Sequence, residues 1–298
     1  MRAKLKISRL LLLTAVLASS ASARAGNCPA KPQKYCDDGQ RQILPVRIYR
    51  NFLVVAEGQF GLSSEGQNFI LDTGTAPSIM NVSLASKLGS ATLTSTFRAL
   101  GKIVPSQAVM IPEIDLGPIQ AVSLLAQVQD LSWLERDLGI PIAGVIGLDV
   151  LSKSSFHLDY DKREIEFGEF SRVGIPVQFD AHTGFAVAKA KIEGKEARFL
   201  VDTGSDRVVL FGGNFSDAGW LALRNTSQTG ASQADQKIRV QAFSAAIIIL
   251  GGRQFSVDRA YLVPGSADPA FDGLLGVRAL GFRSLSYDQA TGTLFLQK

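Results

Sequence analysis

Scarcity sets the first bounds on this chain. Its 298 residues include only two cysteines and two histidines. His157 and His182 stand far from Cys28 and Cys36 and lack the close ligand spacing of a zinc site, so neither a metal nor another cofactor is expected. Charge is thin as well, with 19% charged residues and 31 Lys+Arg against 27 Asp+Glu. Five of those bases (Arg2, Lys4, Lys6, Arg9 and Arg24) fall in the first 25 residues, which hold no acid. The remainder carries 26 against 27, a net charge of −1. Such a balance draws no polyanion, and nucleic acid is not an expected partner. The apolar run at 10–18 falls well short of the roughly 20 residues a membrane helix needs.

What that run does fit is an export signal. A basic head precedes it, and a small-residue stretch ending in Ala23-Arg24-Ala25 follows, which places a cleavage site after residue 25. Residues 1–25 therefore read as a secretory signal, and the chain as periplasmic or secreted, with an uncleaved membrane tether as the alternative. Residues 26–42, rich in Pro, Lys, Gln and Asp, read as an exposed lead-in. In an exported chain Cys28 and Cys36 are expected to close a local disulfide, two unpaired thiols being the alternative.

Helical signal is also scarce. The clearest stretch is 129–139, with apolar residues at 131, 134 and 138, Asp130 or Ser132 as cap and Gly139 as stop. Short helices fit after Gly147 and Gly276. Elsewhere short apolar runs alternate with Gly, Pro and Asn, so the class is mostly β. The segment 184–204 alternates from Phe185 to Ile192, turns at Glu193-Gly194-Lys195 and runs back to Asp202, which is the pattern of a hairpin.

That hairpin leads to the feature that organises the chain. FILDTGT at 69–75 returns as FLVDTGS at 199–205, each acid following an apolar strand. Further landmarks repeat in the same order: strands ending in Gly at 112–117 and 246–252, apolar strands at 121–128 and 255–263, and GVIGLDVL at 144–151 with GLLGVRAL at 273–280. Strand-turn-strand pieces at 158–167 and 285–296 close each half. Chance does not keep such an order, and an internal duplication does. The halves divide into lobes at 43–170 and 171–298, with the boundary within 168–176.

Two Asp-Thr-Gly turns at matching places suggest two carboxylates that meet. At roughly 3 Å and an effective dielectric near 20, two ionised acids repel by about 5 kcal/mol, or about four pKa units, so one proton stays between Asp72 and Asp202. The ionised acid can take a proton from water while the protonated one donates to a carbonyl oxygen. Gly74 and Gly204 allow close backbone approach and supply N–H groups. The hydroxyls of Thr73 and Thr203 can bond across between the loops. Those of Thr75 and Ser205 can donate to the outer carboxylate oxygens, which favours ionisation and an acidic working range.

In these residues the chain resembles the pepsin-like and retropepsin-like aspartic peptidases, in particular bacterial single-chain members. The resemblance rests on DTGT and DTGS after apolar strands, each paired with an apolar-apolar-Gly motif ending at Gly147 or Gly276. It implies two homologous closed β lobes with the active site in the cleft between them, the Gly motifs packed beneath the Asp-Thr-Gly loops in a ψ-shaped crossing, and hydrolysis of peptide bonds. A polypeptide is then the expected substrate and a monomer suffices, since one chain supplies both acids. The alternative is a noncatalytic peptide- or protein-binding envelope protein of the same fold. Such enzymes close a hairpin flap, usually tipped by Tyr, but 92–112, where a flap is expected, offers only Phe97; 227–241 is the equivalent place in the second half. Asp149, Asp159, the two histidines, Trp133 and Trp220 are expected to be structural.

Overall fold

The computed structural model describes residues 42–60, 63–88, 92–99, 102–215, 226–233 and 236–298, with two dipeptide strands at Leu10–Leu11 and Val16–Leu17. Those dipeptides pair with backbone at 231–232 and 97–98. The rest of the expected signal at 1–25, the expected lead-in up to residue 41 with Cys28 and Cys36, and Trp220 lie outside the described residues.

Each half of the chain builds a closed six-stranded barrel. In the first, Leu53–Phe60, Ser63–Leu71, Gly144–Ile146, Ile79–Asn81, Gln120–Gln129 and Lys102–Asp115 pair in that order, and Gln59 and Phe60 close the ring on Asp115 and Ile114. In the second, Val187–Ile192, Lys195–Asp202, Gly273–Gly276, Val208–Phe211, Arg253–Val263 and Gln236–Leu250 pair in the same cyclic order, and 190–192 close the ring on 248–250. The repeat seen in the sequence is thus a repeat of whole barrels.

Local chemistry explains the pieces. Glu193 and Gly194 both have positive φ, at 49° and 83°, as a two-residue hairpin turn requires, and the strands on either side run in register from Ile192↔Lys195 to Val187↔Leu200. The returning strand Lys195–Asp202 is exposed at its start and buried throughout its last four residues, so it ends deep in the protein with its acid. The one long helical signal yields Ser132–Leu138, where Asp130 Oδ1 accepts from Ser132 N at 2.9 Å and Gly139 ends the helix at φ 72°. That helix buries Trp133 and Leu134 against Phe52, Phe97, Ile142 and Val145, which makes Trp133 a core residue.

A third sheet joins the halves. Its order is Ile175–Gln178, Thr293–Gln297, Ser284–Asp288, Phe156–Asp159, Glu164–Phe167 and Gln42–Pro45, three strands from each half. The junction is antiparallel, with Phe156 opposite Tyr287 and Leu158 opposite Leu285. Hairpins also stand where flaps are expected: Leu93–Ala99 with Lys102–Asp115, and Thr226–Gln233 with Gln236–Leu250. Phe97 is buried at 4% exposure in the core beneath the first hairpin, so it packs inward.

Candidate active site

Four short strands bring the two turns together. Gly144–Ile146 runs parallel to 69–71 and antiparallel to Ile79–Met80, and Gly273–Gly276 does the same between 199–202 and 208–210. This is the crossing expected beneath each Asp-Thr-Gly loop. Asp72 N donates to Ile146 O at 3.0 Å and Leu148 N to Thr75 O at 2.8 Å. In the second lobe Gly276 N donates to Arg207 O at 2.8 Å and Val277 N to Asp202 O at 3.3 Å. The supporting strand has room only for glycine: a Cβ on Gly147 would stand 2.2 Å from Thr75 O, and one on Gly276 2.4 Å from Ser205 O.

The loops lock to each other through their threonines. Thr73 N donates to Thr203 Oγ1 at 3.0 Å and Thr203 N to Thr73 Oγ1 at 3.2 Å. Each hydroxyl passes its own proton to the opposite strand end, Thr73 to Val201 O at 3.0 Å and Thr203 to Leu71 O at 3.3 Å. All four bonds are buried and run between residues some 130 positions apart. A buried donor without a partner costs about 1–3 kcal/mol, so the reciprocity holds the two lobes in one register.

Asp72 and Asp202 meet inside this clasp, both fully buried and hydrogen-bonded to each other. Asp72 Oδ1 accepts from Gly74 N at 2.8 Å and from Gly204 N at 3.1 Å, and Asp202 Oδ1 accepts from Gly204 N at 2.7 Å. The glycines are required by space: a Cβ on Gly74 would lie 2.6 Å from Asp202 Cγ, and one on Gly204 2.6 Å from Asp72 Oδ2. Each loop therefore grips the opposite acid at van der Waals contact.

Among the outer oxygens, Asp72 Oδ2 accepts from Thr75 Oγ1 at 2.8 Å, as expected. Ser205 Oγ accepts from Arg207 N at 3.2 Å in its own turn. The Thr75 hydroxyl lowers the Asp72 pKa as expected, but it does not decide the net direction. Burial is the largest influence and raises the pKa, while the donors from Gly74, Thr75, Asp202 and Gly204 offset only part of the rise. Thr75→Val should move the alkaline limb of the pH–rate profile further up, because it removes a donor to the carboxylate. An unmoved limb would contradict that role for the hydroxyl.

Sequence reasoning passed over one residue here. Asp149, read as a helix-cap acid, accepts from Ser78 N at 3.0 Å and from Ser78 Oγ at 2.7 Å. Ser78 Oγ in turn accepts from Gly147 N at 3.0 Å. Asp149 thus ties the supporting glycine to the strand leaving the first Asp-Thr-Gly loop, and burial raises its pKa. Ser78 sits six residues after Asp72, and that spacing was the available signal. His157 bonds Ser286 Oγ through Nδ1 at 2.8 Å in the joining sheet, and His182 lies exposed in a turn, so both are structural. Among the described residues no group of three or more His, Cys, Asp and Glu side chains is placed to hold a metal.

Comparison with known families fits this geometry. A family model described as aspartyl protease matches residues 61–150 and again 188–279, together more than half of the chain. The chain belongs to the aspartyl protease family. Each match to the aspartyl protease pattern covers most of one barrel, with its Asp-Thr-Gly loop and supporting Gly strand, so the duplication is one of half-sites. Family membership makes this aspartyl protease a peptidase in the general sense. A search of curated proteins finds no match to it.

Proposed function

We propose that the protein is an exported aspartic endopeptidase that hydrolyses peptide bonds with a water activated between Asp72 and Asp202. The reading rests above all on the two buried carboxylates bonded to each other while each is held by the glycine N–H of its own loop. Such a pair carries one proton. The ionised member takes a proton from water as its oxygen attacks the peptide carbonyl carbon, and the protonated member gives its proton to the carbonyl oxygen. Collapse of the resulting gem-diol breaks the C–N bond: one gem-diol hydroxyl gives its proton to the ionised member as the new carboxyl forms, the departing nitrogen receives the proton of the other member, and the pair returns to one shared proton. No covalent enzyme intermediate forms. Because the pair titrates as a unit, the two roles belong to the dyad and not to one named acid. Export is carried by the signal pattern at 1–25.

Cleavage of a proteome-derived peptide library by the exported chain tests this directly. Between pH 3 and 8 the parent should generate new termini from extended polypeptide. Asp202→Asn should lose at least about a thousandfold in rate, in line with removal of one acid–base partner. Recovered from a secreting host, the parent should begin at Gly26. A parent that binds peptides without cutting any, or an Asp202→Asn form as active as the parent, would overturn the mechanism.

A further inference from the structure

We infer that Arg278 is a positioning residue for the dyad, fixing the second lobe against the first at a point away from the catalytic loops. The inference rests on the peptidase reading and assigns a residue to that same site. Arg278 stands two places after Gly276, in the one-turn 3-10 helix Arg278–Leu280 behind Asp202. Its Nε donates to Asn51 O at 3.0 Å and its Nη2 to Asn51 Oδ1 at 3.2 Å, across 227 residues of sequence and from one lobe to the other. Nη1 donates to Phe282 O at 2.7 Å within its own lobe. The guanidinium also lies 5.1 Å from the ring centre of Tyr160, a buried residue at the end of the joining sheet. One side chain therefore connects the first barrel's Asn51 turn, the joining sheet and the segment that supports Asp202.

The contrast with the first lobe gives the contact its meaning. Asp149 occupies the matching place, two residues after Gly147, and both of its bonds to Ser78 stay within its own lobe. The second lobe has Val208 where the first has Ser78, and its residue reaches outward instead. The dyad works only while its two carboxylates, one per lobe, hold their distance to within about 0.5 Å. The threonine clasp joins the lobes at the Asp-Thr-Gly loops, and the joining sheet connects them through Phe156–Asp159 and Ser284–Asp288. Asn51 adds a third attachment, beside the segment that supports Asp202, which limits rocking of that segment about the other two. Asn51 is suited to its part: with φ 67° it holds a tight turn, next to Arg50 at φ 52°, whose guanidinium pairs with Asp137 at 2.6 Å. The anchor is thus itself tied to the helix Ser132–Leu138. Arginine suits the other end because its fixed fork meets a carbonyl and a side-chain oxygen together, which a lysine cannot do.

The test compares Arg278→Met and Arg278→Lys with the parent in two measurements. The first is kcat and KM on a peptide from the library; the second is the interlobe distance distribution from spin labels at Lys87→Cys and Lys189→Cys, with Cys28 and Cys36 changed to Ser. We expect kcat to fall at least tenfold in Arg278→Met with KM within twofold, and the distance distribution to broaden. Arg278→Lys, which keeps a cation and a donor, should recover part of both. Asn51→Gly, which the turn tolerates, removes the Oδ1 acceptor and keeps the backbone one, so it should lower kcat by less than Arg278→Met does. An unchanged kcat in an active parent background, or an unchanged distance distribution, would overturn the inference. If the parent cleaves no peptide, the peptidase reading falls and the distance measurement still decides the role of Arg278.

Discussion

An alanine at position 147 is expected to cost the protein stability and turnover together. The added Cβ would stand 2.2 Å from Thr75 O and 2.8 Å from Thr75 C, both backbone atoms, so no flexible side chain can yield to it. Overpacking of this kind costs about 1–3 kcal/mol and sometimes more. The atoms that must move are the ones that matter: Thr75 O accepts from Leu148 N at 2.8 Å, and Thr75 Oγ1 donates to Asp72 Oδ2 at 2.8 Å. Displacing Thr75 displaces Asp72, and a misplacement near 1 Å is worth about a hundredfold in rate. Urea unfolding should lose roughly 2 kcal/mol or more, and kcat should fall about a hundredfold. A Gly147→Ala protein with parental kcat would show that the close approach does not govern the dyad.

Asp72→Asn is expected to move activity and stability in opposite directions. Removing half of the acid–base pair should reduce kcat by about three orders of magnitude or more. The stability effect follows from the buried position of Asp72, whose pKa is raised by loss of hydration. The folded chain keeps this proton to higher pH than the unfolded chain does. Stability from the group is therefore complete below about pH 4, the unfolded value, and is lost as the pH rises through the folded value. Asparagine carries no charge to bury and escapes that loss. Each tenfold displacement of the proton affinity is worth about 1.4 kcal/mol, and a protein of this size gains roughly 2–4 °C in Tm per kcal/mol. The variant should match the parent near pH 3 and unfold several degrees above it at pH 7. A variant less stable than the parent at pH 7 would mean that the buried charge is better compensated than its surroundings suggest. The expected gain at pH 7 would show that the site gives up stability for function, as catalytic groups commonly do.

Much of this was legible because the duplication is written in short-range signals. Strand, acid, threonine and glycine follow one another within seven residues, and the hairpin to Asp202 is announced by a turn pair that only positive φ satisfies. The helix Ser132–Leu138 carried its own cap and stop. Long-range closure was not legible. Nothing local tells that Phe60 pairs with Ile114 to close a barrel, or that Arg278 reaches Asn51, because those contacts form only once the sheets have twisted round. The net direction of the Asp72 pKa was hidden for a different reason, since counting donors is possible from sequence and measuring burial is not.

The joining sheet takes three strands from each half and pairs Phe156–Asp159 with Ser284–Asp288 at its centre. Two identical copies of one half could form the same sheet as a twofold dimer, but every residue would then appear at both related places. Covalent linkage removes that constraint. Aspartate can tie one supporting loop inward while arginine ties the other outward. A cleft with two different sides can read the direction of a polypeptide, which has no twofold axis of its own.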